Sequence, residues 1–253
     1  MVFGGIQKLT LLDYPEKTAC TLFTVGCDFR CPFCQNASFI NPGNEIITVS
    51  EVLTFLKTRK GLLDGVCISG GEPLLQDDLE VFIDEIKTLG YLIKIDTNGS
   101  DPRKLEKLIN SGKIDFISMD IKNTPEKYAR TIGMPGFDTS KIQESVKLLQ
   151  SSTIQHEFRT TVVKEFHTED DLLSIADWIS NAKSISDIKS MSDSIPENLI
   201  NQNKKDPVYY FLQKFIDSDG VKQKGLNSYS DIEMRHFLKK IKTILPFAEL
   251  RGV

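Results

Sequence analysis

The segment TACTLFTVGCDFRCPFC, Thr18 to Cys34, joins a β-branched apolar run to three cysteines spaced three and two residues apart. Its first half, TACTLFTVG (Thr18 to Gly26), reads as a strand that ends at a glycine. Its second half places Cys27, Cys31 and Cys34 in one loop, separated by charged and bulky residues. A lone cysteine is often a small hydrophobe, but three so close are hard to bury without a shared ligand. The other two cysteines, Cys20 and Cys67, lie in apolar strand segments and read as buried, inert thiols. A secreted disulfide scaffold would instead spread an even number over a short chain.

Outward from this segment the chain alternates. VSEVLTFLKTRKG reads as a helix with Ser50 as its cap candidate and Val52, Phe55, Leu56 and Arg59 at the helical period. The strand GVCISG runs to Gly70-Gly71, and a helix from Asp77 to Leu89 carries Leu79, Phe82, Ile83, Ile86 and Leu89 on one face. The strand YLIKIDT stops at Asn98-Gly99. A helix at Pro102 to Asn110, the strand KIDFISMDIK, a helix from Ser140 to Leu149, the strand IQHEFRTTVV and a helix from Glu169 to Ile179 follow. VYYFLQKFI reads as a strand, Ile232, Phe237, Leu238 and Ile241 mark a late helix, and ILPFAELRGV closes as a last strand. This is βαβ logic: an α/β fold with a mostly parallel sheet covered by outer helices, and sites beyond the carboxyl ends of its strands. The stretch 183–206, rich in Ser, Asn, Asp and Lys, reads as a surface loop or peripheral excursion within a single domain spanning 1–253.

Composition narrows the classes. The chain has 253 residues, 40% of them hydrophobic, with 31 Lys and Arg against 35 Asp and Glu for a net charge of −4. Disorder is disfavoured by this hydrophobicity, and a general nucleic-acid surface by the absence of basic excess. No apolar run approaches the ~20 residues that span a bilayer. The N-terminus MVFGGIQKLTLLDYP has an acid and a proline where a signal peptide wants its apolar stretch, so a cytoplasmic protein is expected.

Three thiolates leave two metal readings open. Zinc in a structural site wants four ligands, and none of His156, His167 and His236 has zinc-ligand spacing to the cluster. A [4Fe–4S] cube held by three cysteines leaves one iron open to a small molecule. CDFRCPFC resembles the cluster loop of the radical S-adenosylmethionine (SAM) superfamily. The longer segment GIQKLTLLDYPEKTACTLFTVGCDFRCPFCQN resembles glycyl-radical-enzyme activating proteins, above all those of anaerobic ribonucleoside-triphosphate reductases. The resemblance extends from about Gly5 to Val163 and is vague from Ala182 to Asp206.

That resemblance implies a partial (β/α)₆ TIM-like barrel and two cofactors, a [4Fe–4S] cluster on Cys27, Cys31 and Cys34, and SAM on its open iron. Phe33 falls near the adenine. SGGEP assigns Gly70, Gly71 and Glu72 to the methionyl amino group, although Glu72 is equally suited to holding its own loop. DTNG places Asp96, Thr97 and Asn98 along the SAM site, and MDIK adds Asp120 and Lys122, which also suit an ion pair with each other. Arg159, in HEFRTTVV, is a fork for a carboxylate or an ordinary ion-pair partner. Asp96, Thr97 and Asp120 match a monovalent-cation site of related activators. Gln213 is a further cavity candidate, and His167 has a strand-end address without a motif.

The implied activity is reductive cleavage of SAM to a 5′-deoxyadenosyl radical that takes hydrogen from a glycine of a partner enzyme. With five cysteines the chain has no room for a second four-cysteine cluster, so a separate flavodoxin or ferredoxin is the expected electron donor. The alternatives are a radical SAM enzyme acting on a small molecule or peptide, and a non-enzymatic zinc or iron–sulfur protein.

Overall fold

In the computed structural model, residues 1–43, 46–181 and 208–253 are described. The expected excursion at 183–206 falls outside them. The strands are β1 (Val2–Thr10), β2 (Ala19–Thr24), β3 (Ile47–Thr48), β4 (Gly65–Gly70), β5 (Leu92–Thr97), β6 (Phe116–Asp120), β7 (Gln155–Val162), β8 (Tyr209–Lys214) and β9 (Ala248–Arg251). They form one sheet in the order β3-β1-β2-β4-β5-β6-β7-β8-β9. Every neighbouring pair from β2 to β9 is parallel. The antiparallel pair β1 and β3 lies outside β2, so the sheet is not closed into a barrel.

Between the parallel strands run α1 (Ala37–Ile40), α2 (Val49–Thr58), α3 (Leu79–Leu89), α4 (Pro102–Asn110), α5 (Pro125–Thr131), α6 (Ser140–Ser151), α7 (Glu169–Asn181) and α8 (Asp231–Ile241). Six βα units and a final parallel strand result, the partial (β/α)₆ architecture expected. Helix α2 is capped by Thr48, not Ser50: Thr48 and Glu51 exchange bonds in a capping box, and Ser50 is already inside the helix. Thr48 has the extended backbone a cap requires. Ile232 is exposed, so it contributes nothing to the buried face of α8. No described helix is long and apolar enough to cross a membrane.

The register separates two faces. Leu22, Ile68, Ile95, Ile117, Phe158 and Leu212 alternate onto the outer face and are fully buried within the hydrophobic core. Each contributes ~1.5–3 kcal/mol by leaving water. The opposite face carries Thr21, Cys67, Lys94 and Phe116 in one row, and Phe23, Ser69, Asp96 and Ser118 in the next. A polar inner face is unusual for a parallel sheet covered by helices, and it is what makes room for chemistry inside the curve.

Candidate active site

The loop after β2 is pinned from several sides. The Arg30 amide donates to the Ile132 carbonyl at 2.9 Å, Lys222 N to Cys34 O at 3.1 Å and Gln223 N to Pro32 O at 2.8 Å. The Gln35 amide side chain reaches Ile216 O at 3.2 Å. Cys31 is 6% exposed, while Cys27 and Cys34 are half-buried. Burial pushes the Cys27 thiol up to about 12 and that of Cys31 up to about 11, so both hold their protons until a cationic ligand displaces them. The Cys27 sulfur accepts from the Phe29 amide at 3.4 Å.

Beside this loop, the β4 end closes as Gly70-Gly71. Gly70 has φ +99°, and a Cβ on Gly71 would stand 1.8 Å from the Gly26 carbonyl oxygen. Both positions therefore require glycine, one for its backbone angle and one for close approach. Gly71→Ala is expected to cost about 3 kcal/mol through overpacking, read as a lower urea midpoint at unchanged slope.

Glu72 is fully buried and holds its own loop through internal bonds. Its carboxylate accepts from Leu74 N at 2.9 Å, Thr97 Oγ1 at 2.7 Å and Asn98 N at 2.7 Å. It ties the β4 turn to the β5 end. Burial nevertheless raises its pKa to about 7. A carboxylate raised on folding binds its proton more tightly in the native state, so its contribution falls as pH climbs from about 4.5 to 7. Glu72→Gln should abolish that component, moving the stability difference between wild type and variant by about 3 kcal/mol across the window. Denaturant melts at pH 4.5 and 7.5 read it.

Asn98 links β5 to the cysteine loop. Its Nδ2 donates to Asp28 Oδ1 at 2.9 Å and approaches Cys27 Sγ at 3.9 Å. Below it runs a chain of alternating charge. Lys94 pairs with Asp96, Arg159 Nη1 reaches Asp96 at 3.2 Å, Arg159 Nε reaches Asp120 at 2.9 Å, and Lys122 reaches Asp120 at 3.0 Å. Burial would raise both carboxyls, but Arg159 with Lys94 or Lys122 outweighs it and holds them below their usual range. The guanidinium bridges the carboxylates of Asp96 and Asp120, and Thr97 Oγ1 donates to Glu72. Of the three cations, Lys122 and Arg159 line the cavity, where their N–H groups suit a ligand bearing a carboxylate.

A cavity of about 280 Å³ unites these groups. Cys27, Phe33, Cys31, Cys34, Gly70, Gly71, Glu72, Asp96, Thr97, Asn98, Asp120, Lys122, Arg159 and Gln213 all line it. Phe33 also packs against Phe166 and His167, with centroids 5.4 and 6.2 Å away. His167 is outside the lining: it is buried, and its ring nitrogens bond to the Val163 amide and the Lys122 carbonyl. Sequence reasoning passed over Ser69, Asp28 and Lys94. Lys94 stands two residues before Asp96, and strand alternation puts both on one face.

Among the described residues, no three His, Cys, Asp or Glu side chains are placed to hold a single metal ion. A tetrahedral zinc would need its sulfurs within ~4 Å of one another. A cube, by contrast, meets each thiolate at a different corner, so three thiols spread along one pinned loop fit it.

An open α/β sheet with three thiols and a charged cavity at its carboxyl mouth is the scaffold of an enzyme that works through a bound redox cofactor. The chain belongs to the radical SAM superfamily, which residues 21–179 match. Membership makes a [4Fe–4S] cluster and SAM its cofactors. A Methanocaldococcus jannaschii protein, named provisionally as a glycyl-radical enzyme activating enzyme, is 33% identical over 182 residues, covering 70% of this chain and 75% of that one. A 7-carboxy-7-deazaguanine synthase of Thermoplasma acidophilum is 28% identical over 162 residues, covering 64% and 74%. The crystal structure of Streptococcus suis SuiB bound to precursor peptide SuiA shares the fold with TM-score 0.67 at 14% identity, over 92% of this chain and 48% of that one.

Proposed function

We propose that this protein is a radical SAM activase that installs a glycyl radical on a partner enzyme, with the anaerobic ribonucleoside-triphosphate reductase as that partner. The observation that carries the reading is the 33% identical relative, of which the chain spans three quarters. Cys27, Cys31 and Cys34 hold the cluster. The Gly70-Gly71 turn offers backbone carbonyls to the SAM ammonium, Lys122 and Arg159 face its carboxylate, and Phe33, Asp96, Thr97, Asn98 and Asp120 shape the remainder. Bound together, the cofactors supply one-electron cleavage of SAM to a hydrogen-abstracting radical. The protein contributes orientation, a fixed charge field and limited water access. Glu72 acts by positioning the loop. A flavodoxin or ferredoxin delivers the electron, in the cytoplasm.

The test is anaerobic reconstitution followed by electron paramagnetic resonance. Reduction should give a [4Fe–4S]⁺ signal that SAM perturbs, and addition of the reductase should give a glycyl signal on that protein. Absence of a SAM-sensitive cluster signal would defeat the reading. The Thermoplasma relative favours a second reading, a radical SAM enzyme for a small molecule; a glycyl signal on the partner protein excludes it.

A further inference from the structure

Strand β1 borders the open side of the sheet. β3 covers its outer edge at Val2 and Phe3. Among the described residues no strand pairs with that edge from Gly5 to Thr10. Free strand edges present a row of main-chain donors and acceptors on which another chain can pair. This one is accessible: Gln7, Lys8 and Leu9 are exposed. It is also continuous with the site, because Gln7 lines the same cavity as the three cysteines. Its lower end runs into an apolar cluster, with Leu9, Leu11 and Leu12 exposed by 58%, 70% and 86%.

Resting on the activase reading above, we infer that the outer edge of β1 between Gly5 and Leu9 binds an extended segment of the protein substrate by strand addition, with apolar side chains of that segment seated on Leu9, Leu11 and Leu12. Main-chain groups at strand spacing are matched by an extended polypeptide. The atom to be oxidised is itself a main-chain carbon. A glycine offers no side chain to grip, so its recognition falls to the backbone of its neighbours. An extended chain carries a Cα every ~3.4 Å, and pairing on β1 would fix which one meets the cavity. The leucines give the paired segment a direction and an anchor.

Lys8 separates main-chain from side-chain effects. The ladder with β2 shifts register between Gln7 and Thr10, and proline is tolerated at such edge irregularities. Lys8→Pro and Lys8→Ala are compared in the reconstituted holoenzyme with anaerobic ribonucleoside-triphosphate reductase as the probe. Three quantities are read: partner-free SAM cleavage driven by dithionite, glycyl-radical yield, and amide exchange over residues 5–9 with and without the reductase. Lys8→Ala should behave as wild type in all three. Lys8→Pro should keep partner-free cleavage while lowering glycyl-radical yield about tenfold at subsaturating partner. Exchange at residues 5–9 should slow in the wild-type complex. The inference is overturned by wild-type radical yield in Lys8→Pro, or by exchange at residues 5–9 that the partner leaves unchanged. Partner-free cleavage with no glycyl signal on wild type would mean instead that the activase reading had failed, and this inference with it.

Discussion

Cys31→Ala is expected to fold and to lose its iron. The thiol lies in the core-facing part of the cluster loop, yet its removal deletes one sulfur atom, a cavity cost of about 1 kcal/mol. The loop's other tethers, from Ile132 and Lys222, go through backbone groups the substitution leaves in place. The chemical loss is far larger. Loss of a partner outside the ligand shell typically lowers metal affinity or activity by about 10–100-fold, and a direct ligand should exceed a hundredfold. Iron and sulfide content after anaerobic reconstitution, together with the reduced-state resonance signal, measures it. Cys20→Ala and Cys67→Ala are the controls, since both thiols are buried in strands outside the cluster loop. A full complement of iron in Cys31→Ala would remove this residue from the ligand set.

Arg159→Leu should give one of the large stability losses among single changes in the cavity. The guanidinium joins Asp96 on β5 to Asp120 on β6 from its own place on β7. Without it each carboxylate keeps one lysine, and breaking a buried ionic network by deleting one member costs about 3–5 kcal/mol. Asp120 retains 30% of its side chain exposed, which favours the lower figure. For a chain of this length, about 3 kcal/mol corresponds to a melting temperature lowered by roughly 6–12 °C. The pH dependence identifies the cause. In wild type both carboxyls are held below their usual range, so their contribution is present above an unfolded value near 4 and lost as pH falls through the lower folded values. In the variant the burial penalty is offset by one lysine each, so both carboxyls move up from their wild-type positions. Acid should then neutralise the stranded charge, and the gap to wild type should narrow as pH approaches 4. A gap that widens toward acid pH would contradict the account. Arg159→Lys keeps the charge but loses the fork, and should lie between the two.

Much of this molecule was written in local sequence. Strand β4 and helix α4 occupy the spans expected, because glycine, proline and apolar periodicity punctuate them sharply. The three cysteines, SGGEP, DTNG and MDIK meet in one cavity because each sits at or just beyond the carboxyl end of a parallel strand, where the topology makes separate motifs converge, and Arg159 reaches them from within β7. Other features depended on partners remote in sequence. β1 did not read as a strand, since GGIQKL is broken by glycines and half-exposed, and its pairing is with β2. Helix α5 is seven residues long, too short for periodicity to show. Glu72 stood between two roles in sequence, and its loop-holding bonds come from β5, remote in sequence: Thr97 and Asn98 donate to its oxygens. Arg159 looked equally fit for a ligand or an ion pair because nothing local to HEFRTTVV shows that two carboxylates await it on neighbouring strands.

The clamp on the cysteine loop has a consequence in time. Lys222 bonds through its ammonium group to the Arg30 carbonyl, a contact between residues 192 positions apart. At about 5–20 residues per second, a ribosome needs roughly 10–40 s after making the loop to deliver that part of the clamp. The thiols of a nascent chain are therefore presented long before their final enclosure exists. Cluster insertion during synthesis would meet a half-built cradle, whereas insertion after release meets a finished one. For this protein, full enclosure of the cysteine loop waits until the chain has been made past Lys222.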